Sequence, residues 1–379
     1  MSMLAKTEDI IIYKDAPFYS AFPSAVTLGD GSVLVVFRRA PEPRWLLGPD
    51  APEKLRGWVS HAHERSHHAM IRLDGKSLKP LGPVSALPMN PLAADQDSSL
   101  LLTRSGRIIL GSFSWYGFPP VFVEQIRPMV FGLHGGPQND GLYYGFFGGF
   151  VRTSDDGGRT WNEHHYLPPL PGTESLSGKW PRRGGAIRGR AIESDGEILL
   201  PVYASLRVAA RSAAHAYVSC DQGKTWEYRA CVAADEANQV HMHEPAFHRC
   251  PSGKIVCFIR TANLDDHLVT ADSADNGRTW SPWKQREVIG HPYNPLALPG
   301  GGVLLVYGYR HPPFGIRARV LDDECTDFTG PEIILRDDGT GTDLGYPWAT
   351  PLPDGRVLVM YYISGADGIR HIAGTVLGD

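Results

Sequence analysis

The feature that most limits the fold of this chain is a turn-and-strand pattern that occurs six times. Each copy is a glycine-containing turn followed by a short run of Val, Ile and Leu. The copies are GDGSVLVVFR, RSGRIILGSF, SDGEILLPVY, PSGKIVCFIR, PGGGVLLVYG and PDGRVLVMYY. Such turns supply the positive φ angles of a tight hairpin, and the apolar runs have the length of strands and not of helices. The chain is therefore predicted to be all-β.

The turn glycines are spaced so that each copy can belong to a separate sheet. They are Gly31, Gly106, Gly196, Gly253, Gly301 and Gly355. Successive glycines lie 75, 90, 57, 48 and 54 residues apart, which suits a four-stranded antiparallel sheet with its loops. We predict a six-bladed β-propeller with four-stranded antiparallel blades, formed as one domain by residues 1–379.

A second repeat, Ser-x-Asp-x-Gly-x-Thr-Trp, occurs three times, at 154–161, 219–226 and 273–280. Its Asp and Ser side chains can bond the backbone of a turn, its Gly relieves strain, and its Trp can fill the space between neighbouring sheets. The carboxylates of Asp156, Asp221 and Asp275 are therefore predicted to serve the fold and not catalysis.

Charge and cysteine content limit the classes of partner. With 37 Lys and Arg against 41 Asp and Glu, the net charge of −4 gives no reason to expect nucleic acid or an anionic membrane, so a small molecule or glycan fits better. The N-terminus has no signal-like apolar run, and we expect a soluble, cytoplasmic protein. Five cysteines without a CxxC spacing predict reduced thiols, and no metal or cofactor is expected.

Inner strands of a propeller lead to its central channel, so equivalent positions of the repeats meet there. Nine residues before the turn glycines, the repeats have Phe22, Asp97, Ile187, Glu244, Pro292 and Tyr346. Asp97, Glu244 and Tyr346 are polar residues at the start of apolar strands. Seven residues after the glycines, two copies have arginine, Arg38 and Arg260. A carboxylate, a phenol and guanidinium groups in one cleft perturb one another's pKa values, which is typical of a functional site.

The six hairpins and three boxes resemble the sialidase superfamily, the Asp-box or BNR-repeat six-bladed propellers. Family members hold a substrate carboxylate with three arginines, use a tyrosine assisted by a glutamate as nucleophile, and use an aspartate as acid/base. The resemblance implies that Tyr346 in LGYPWATP and Glu244 in HEPAF form the nucleophile and base pair. It also implies that Arg260 in CFIRTAN and Arg317 in FGIRARVL bind the carboxylate.

The first blade departs from the family pattern at two positions. The family's Phe-Arg-Ile-Pro signature corresponds to SAFP, so Ala21 stands where the first arginine is expected, and Arg38 or Arg39 could replace it. The loop GWVSHAHERSHHAMIRL has no aspartate to serve as acid/base. Either a histidine of this loop, with His63 the candidate, or Asp97 is expected to protonate the leaving group, because both types can transfer protons near neutral pH.

Three further features complete the expected site. Arg188 in PRRGGAIRGR offers another anion contact, and His243 adjoins the Glu244 strand. His63 and His67 have the spacing of a helical metal pair, but no third ligand at a fixed spacing accompanies them. The aromatic insertion at 114–150 is expected either to line a glycan site or to form a homo-oligomer interface.

We therefore expect a sialidase-related glycoside hydrolase that cleaves a terminal acidic or unusual sugar. Two alternatives remain open at this point. One is a propeller glycosidase or lyase for rhamnose- or uronate-containing glycans that uses a histidine acid/base. The other is a propeller that binds glycans without catalysis.

Overall fold

The computed structural model describes residues 4–47, 62–127, 133–135, 141–173, 183–206 and 210–378. Within these ranges the strands form six antiparallel sheets arranged as the blades of a propeller. The predicted all-β, six-bladed fold is confirmed. Each of the six turn-and-strand copies forms the hairpin between the first two strands of a blade.

Strands are numbered in chain order, and β1 belongs to the last blade. Blade 1 contains β2 to β5, which span Phe18–Thr27, Val33–Pro41, His67–Leu73 and Ser85–Ala86. Blade 2 contains β6 to β11, which span Ala94–Asp95, Ser99–Leu102, Ile108–Phe118, His134–Gly135, Tyr143–Ser154 and His165–Tyr166. Blade 3 contains β12 to β15, which span Ile192–Ser194, Glu197–Ala204, Ala213–Ser219 and Glu227–Ala233. In blade 2, β6 and β7 both pair with β8 and share one strand position, and β9 is an addition paired with β10.

The remaining blades have the regular four strands. Blade 4 contains β16 to β19, which span His241–Arg249, Ile255–Ala262, His267–Ser273 and Lys284–Ile289. Blade 5 contains β20 to β23, which span His291–Ala297, Val303–Tyr309, Gly315–Leu321 and Glu332–Arg336. Blade 6 contains β24 to β26 and β1, which span Gly345–Pro351, Val357–Ser364, Arg370–Gly378 and Ala5–Tyr13.

The two ends of the chain close the ring. β1 runs antiparallel to β26, with Ala5 opposite Gly378, so the N-terminal strand is the outer strand of the last blade. In the part of the chain that the structure describes, the helical segments are 3-10 turns at Pro43–Leu47 and Pro120–Phe122 and a helix at Val123–Ile126. Across the described ranges, none of the helices has the length and apolar character needed to span a membrane.

The apolar core is divided among the six contacts between neighbouring blades. Buried residues form one cluster at each contact, for example Val26 with Leu100 between blades 1 and 2. The box tryptophans enter three of these clusters, where Trp161, Trp226 and Trp280 each meet the preceding blade. The apolar core therefore lies between the blades and is not a single central layer.

The boxes close the turns between the third and fourth strands of blades 2, 3 and 4. In the last box, Oδ1 of Asp275 accepts bonds from the backbone of Arg278 and Thr279 at 3.0 and 2.9 Å. Its Oδ2 accepts from the Thr279 hydroxyl at 2.6 Å, and Nε1 of Trp280 donates to the Gly277 carbonyl at 3.1 Å. The structural role predicted for the boxes is confirmed by this geometry.

Three inner strands share a local distortion at one register. Phe22, Glu244 and Tyr346 have φ of 56°, 46° and 51°, in the left-handed region that non-glycine residues rarely occupy. Each lies in a β-bulge of the first strand of its blade, and each precedes a proline. Bulges next to functional sites redirect side chains. Here the bulges aim the side chains of Glu244 and Tyr346 at each other from different blades.

Candidate active site

Side chains from blades 4 and 6 form one hydrogen-bonded cluster. The hydroxyl of Tyr346 donates a short hydrogen bond to Oε1 of Glu244. Nη1 of Arg260 donates to Oε2 of the same carboxylate at 2.8 Å and to the Tyr346 hydroxyl at 3.2 Å. Glu244 and Tyr346 are 3% and 7% exposed. The structure thus joins a phenol, a carboxylate and a guanidinium that are far apart in the sequence.

The charges of this cluster favour a protonated tyrosine beside an ionised glutamate. Burial opposes ionisation of Glu244, but the charge and hydrogen bond of Arg260, with the bond from Tyr346, lower its pKa to about 2. Burial and the charge of Glu244 raise the pKa of Tyr346 above its ordinary value. At neutral pH the carboxylate is therefore ready to accept the phenol proton.

Asp97 is a second buried carboxyl group beside this cluster. It lies between β6 and β7, and its Oδ2 is 3.7 Å from Nε of Arg188. Burial raises the pKa of Asp97 to about 7, since the opposing charge of Arg188 is partly cancelled by the charge of Glu244. A carboxyl group with this pKa can both hold and release a proton near neutral pH, as a general acid must.

Arg188 was expected to bind substrate, but its hydrogen bonds are to the protein backbone. Nη1 donates to the Ser98 carbonyl at 2.8 Å, and Nη2 donates to the carbonyls of Tyr346 and Pro23 at 2.8 and 3.1 Å. These acceptors belong to blades 2, 6 and 1, and the side chain is 2% exposed. Arg188 therefore connects three blades next to Tyr346, and its expected contact with substrate stays a prediction.

Of the two arginines weighed for blade 1, Arg38 is the one near the cluster. It is opposite Ala21 across β2 and β3, and its Nε donates to the Ser66 hydroxyl at 2.6 Å. Arg38 is fully buried. Its positive charge lowers the pKa of Asp97, against the larger effect of burial, which raises it. The arginine missing at Ala21 is thus matched by one from the adjacent strand.

Two other predicted arginines lie elsewhere. Nε of Arg39 donates to His67 at 3.1 Å, and Nη1 donates to the Tyr13 hydroxyl at 3.2 Å. Arg317 donates to the carbonyl of Pro313 at 3.0 Å and pairs with Glu332 at 3.4 Å, so its partners are all within its own blade. Side chains alternate between the two faces of a strand, which turns Arg39 away from the side of Arg38. Arg39 and Arg317 therefore lie outside the hydrogen-bonded cluster, and their expected substrate contacts stay predictions.

Arg310, which was not among the predicted site residues, lies beside Tyr346. Its guanidinium carbon is 5.4 Å from the ring centre of Tyr346, and its Nε and Nη2 donate to the Leu344 carbonyl at 3.2 and 3.0 Å. The sequence contained a usable signal. Gly308 occupies the register of Arg38 and Arg260, and Arg310, two residues further, points to the same side of an extended chain.

An aspartate and two tyrosines next to the cluster were also missed. Oδ1 of Asp343 accepts hydrogen bonds from the hydroxyls of Tyr19 and Tyr362, each at 3.0 Å, and its Oδ2 is bonded to Arg370. The Tyr362 hydroxyl in turn is 3.4 Å from Nη2 of Arg310. Asp343 comes from a loop with no register relation to the hairpins, so the repeat gave no signal for it.

The two candidate histidines lie at the edge of the site and are neutral at pH 7. Burial and the charges of Arg38 and Arg65 lower the pKa of His63 to about 4. Burial also lowers the pKa of His243 to about 4, and its ring is 5.3 Å from that of Tyr203. A neutral imidazole is a poor proton donor, which favours Asp97 over His63 as acid. His61 of the same loop lies outside the described residues.

The repeats and the propeller are shared with known proteins. The family model described as a BNR repeat-like domain matches residues 136–359. The chain belongs to the BNR repeat-like domain family. The BNR-repeat propeller that the boxes and hairpins predicted is confirmed by this match, and sialidases share its fold. No curated protein sequence matches this BNR repeat-like protein.

Solved structures share the propeller over the whole chain. A protein of unknown function from Dyadobacter fermentans is 36% identical, with a TM-score of 0.87 and coverage of 100% of this chain and 99% of that one. NanB sialidase from Streptococcus pneumoniae is 14% identical, with a TM-score of 0.62 and coverage of 99% and 71%. The intramolecular trans-sialidase from Ruminococcus gnavus is 13% identical, with a TM-score of 0.57 and coverage of 97% and 95%. At the last two identities the likeness shows the fold and not the activity.

Proposed function

We propose that this BNR repeat-like protein is a glycoside hydrolase that removes a terminal acidic sugar from a glycan. The observation that carries the proposal is the contact of Tyr346 with Glu244 and Arg260. A phenol is a weak nucleophile until a base takes its proton, and the ionised Glu244 is hydrogen-bonded to that proton. Tyrosine is a recognised nucleophile of glycosidases that act on sialic acids.

The proposed reaction has two displacements. In the first, Glu244 accepts the proton of Tyr346, the phenolate oxygen bonds to the anomeric carbon, and the glycosidic bond breaks as Asp97 gives its proton to the leaving oxygen. In the second, Asp97 removes a proton from water, the hydroxide attacks the anomeric carbon, and Tyr346 leaves and regains its proton from Glu244. Two inversions give net retention of configuration.

Recognition of an acidic sugar is assigned to Arg260 and Arg310. Arg260 uses Nη1 for Glu244 and Tyr346, and Arg310 uses Nε and Nη2 for Leu344 and Tyr362. Within the described part of the chain, Nη2 of Arg260 and Nη1 of Arg310 have no hydrogen-bond partner. Two such donors flanking one phenol suit the two oxygens of a carboxylate on the reacting carbon.

The test is a hydrolysis screen of the purified protein on aryl glycosides of sialic acid, other nonulosonic acids, uronic acids and rhamnose. Tyr346→Phe is run beside Tyr228→Phe, a matched change in the outer strand of blade 3. Turnover of an acidic glycoside by the wild type and by Tyr228→Phe, with a loss of at least about 10³-fold in Tyr346→Phe, supports the proposal. Turnover of rhamnosides alone, or binding of glycans without turnover, overturns it.

A further inference from the structure

A group of metal-ligand side chains lies far from the proposed active site, between blades 4 and 5. It consists of His248 near the end of β16, Cys250 in the following turn, and Cys325 in the loop between β22 and β23. One ligand atom from each residue lies within 4.8 Å of the other two. The three residues are 7%, 1% and 3% exposed. From Glu244 to Cys250 the strand extends about 20 Å, so the group is at the opposite end of the propeller.

We propose that His248, Cys250 and Cys325 form a structural zinc site that ties blade 4 to blade 5. Two thiolates and an imidazole are ligands that zinc prefers, and water completes the tetrahedron in place of the fourth protein ligand that closed structural sites have. The two cysteines are 75 residues apart in the sequence, so the site has no CxxC spacing from which it could be predicted. The expectation that the chain holds no metal is revised by this proposal.

The position of His248 fits the role of a ligand. One of its ring nitrogens lies within 4.8 Å of both cysteine sulfurs. Among the residues that the structure describes, neither ring nitrogen has a hydrogen-bond partner. No protein group in the described ranges therefore competes with a metal ion for this imidazole.

The two thiols lie side by side. The sulfurs of Cys250 and Cys325 are within 4.8 Å of each other, although one residue follows the first strand of blade 4 and the other lies in a loop of blade 5. Zinc binding would replace both thiol protons, so each Zn²⁺ bound releases two protons and leaves a site with no net charge. The loop that carries Cys325 is a degenerate fourth box, in which Asp322 accepts from Thr326 as the box aspartates do. Zinc would then reinforce the blade whose box lacks the tryptophan.

The experiment uses the full chain without a polyhistidine tag, produced in zinc-supplemented medium. Zinc per chain is measured by elemental analysis for the wild type, Cys250→Ser, Cys325→Ser and the exposed-thiol control Cys231→Ser. We expect about one zinc per chain in the wild type and the control. Loss of one ligand is expected to weaken zinc binding by at least about 100-fold, because even outer-shell partners contribute 10- to 100-fold.

A second measurement on the wild type alone guards against variants that fail to fold. The metal is removed with a chelator and Co²⁺ is added, and a thiolate-to-cobalt charge-transfer band with two protons released per ion is expected. Absence of zinc together with absence of that band overturns the proposal. So does a disulfide between Cys250 and Cys325 detected by mass spectrometry of the unreduced protein.

Discussion

The hydroxyl of Tyr346 is hydrogen-bonded to Oε1 of Glu244 although the two residues are 102 positions apart in the sequence. The first strands of blades 6 and 4 bring them together, and each residue sits at a bulge with a positive φ. Backbone strain of this kind persists only where the surrounding structure holds it. The fold therefore stabilises the contact between Tyr346 and Glu244. The pKa values, lowered for Glu244 and raised for Tyr346, place the proton on the phenol until a substrate arrives.

Glu244→Gln is expected to abolish the base while keeping the shape of the side chain. A glutamine oxygen can still accept from Tyr346, but the neutral amide cannot take the proton and no longer neutralises Arg260. We expect kcat to fall by about 10² to 10⁴-fold. The loss of kcat should be as large for a glycoside with an activated aryl leaving group as for one with a poor leaving group. The substitution impairs formation of the nucleophile and not departure of the leaving group. Steady-state kinetics with both substrates measures this, and full activity in a folded variant would contradict the assignment.

The repeat in the sequence specified the fold and the first layer of the site. Tight turns and apolar runs are local properties, so all six hairpins can be counted in the amino-acid sequence alone. Glu244, Tyr346 and Asp97 followed because a propeller places equivalent positions around one channel.

What the repeat could not specify was the direction of side chains at strand ends. Arg310 is two residues beyond the register, and Arg188 lies on a loop whose carbonyl partners come from three blades. Cys250 and Cys325 meet only through the contact of two neighbouring blades. Such tertiary relations have no local pattern, and the resemblance to the family pointed to Arg317 and not to Arg310.

Arg310→Ala tests the recognition of a carboxylate. Removing this guanidinium leaves the Glu244 and Tyr346 contact with Arg260 in place, so the loss should concern binding more than chemistry. We expect KM for an acidic glycoside to rise about 100-fold, the loss typical of one charged hydrogen-bonding partner. Arg39→Ala, a matched loss of an arginine outside the cluster, should leave KM unchanged. An equal change in both variants would show that the effect is not local.

Asp275→Ala tests the structural role of the boxes. The substitution removes the acceptors for two backbone amides and the Thr279 hydroxyl. We expect the free energy of unfolding to fall by about 1 to 2 kcal/mol with kcat unchanged. Thermal unfolding of this variant is compared with that of Asp337→Ala, an exposed aspartate. Loss of activity in Asp275→Ala under conditions where it is fully folded would point instead to a catalytic role.

Asp97 makes two pH-dependent contributions that can be separated. Burial raises its folded pKa to about 7 from the ordinary 3.8, so the folded state binds more protons than the unfolded state between those values. Stability therefore falls as pH rises from about 4 to about 7, and the destabilisation is complete above pH 7. Asp97→Asn removes this cost. We expect the variant to gain stability relative to the wild type at pH 8 but not at pH 4, as measured by denaturant unfolding.

The proton on Asp97 should also affect catalysis, because a general acid must be protonated to act. If Asp97 is the acid, kcat/KM of the wild type falls as pH rises through about 7, and Asp97→Asn loses that limb of the profile. The variant should be impaired by about 10² to 10⁴-fold on an alkyl glycoside and much less on an activated aryl glycoside, which departs without protonation. His63→Ala, which removes the competing donor, should keep the limb. If the limb vanishes in His63→Ala and persists in Asp97→Asn, the proton comes from the histidine loop.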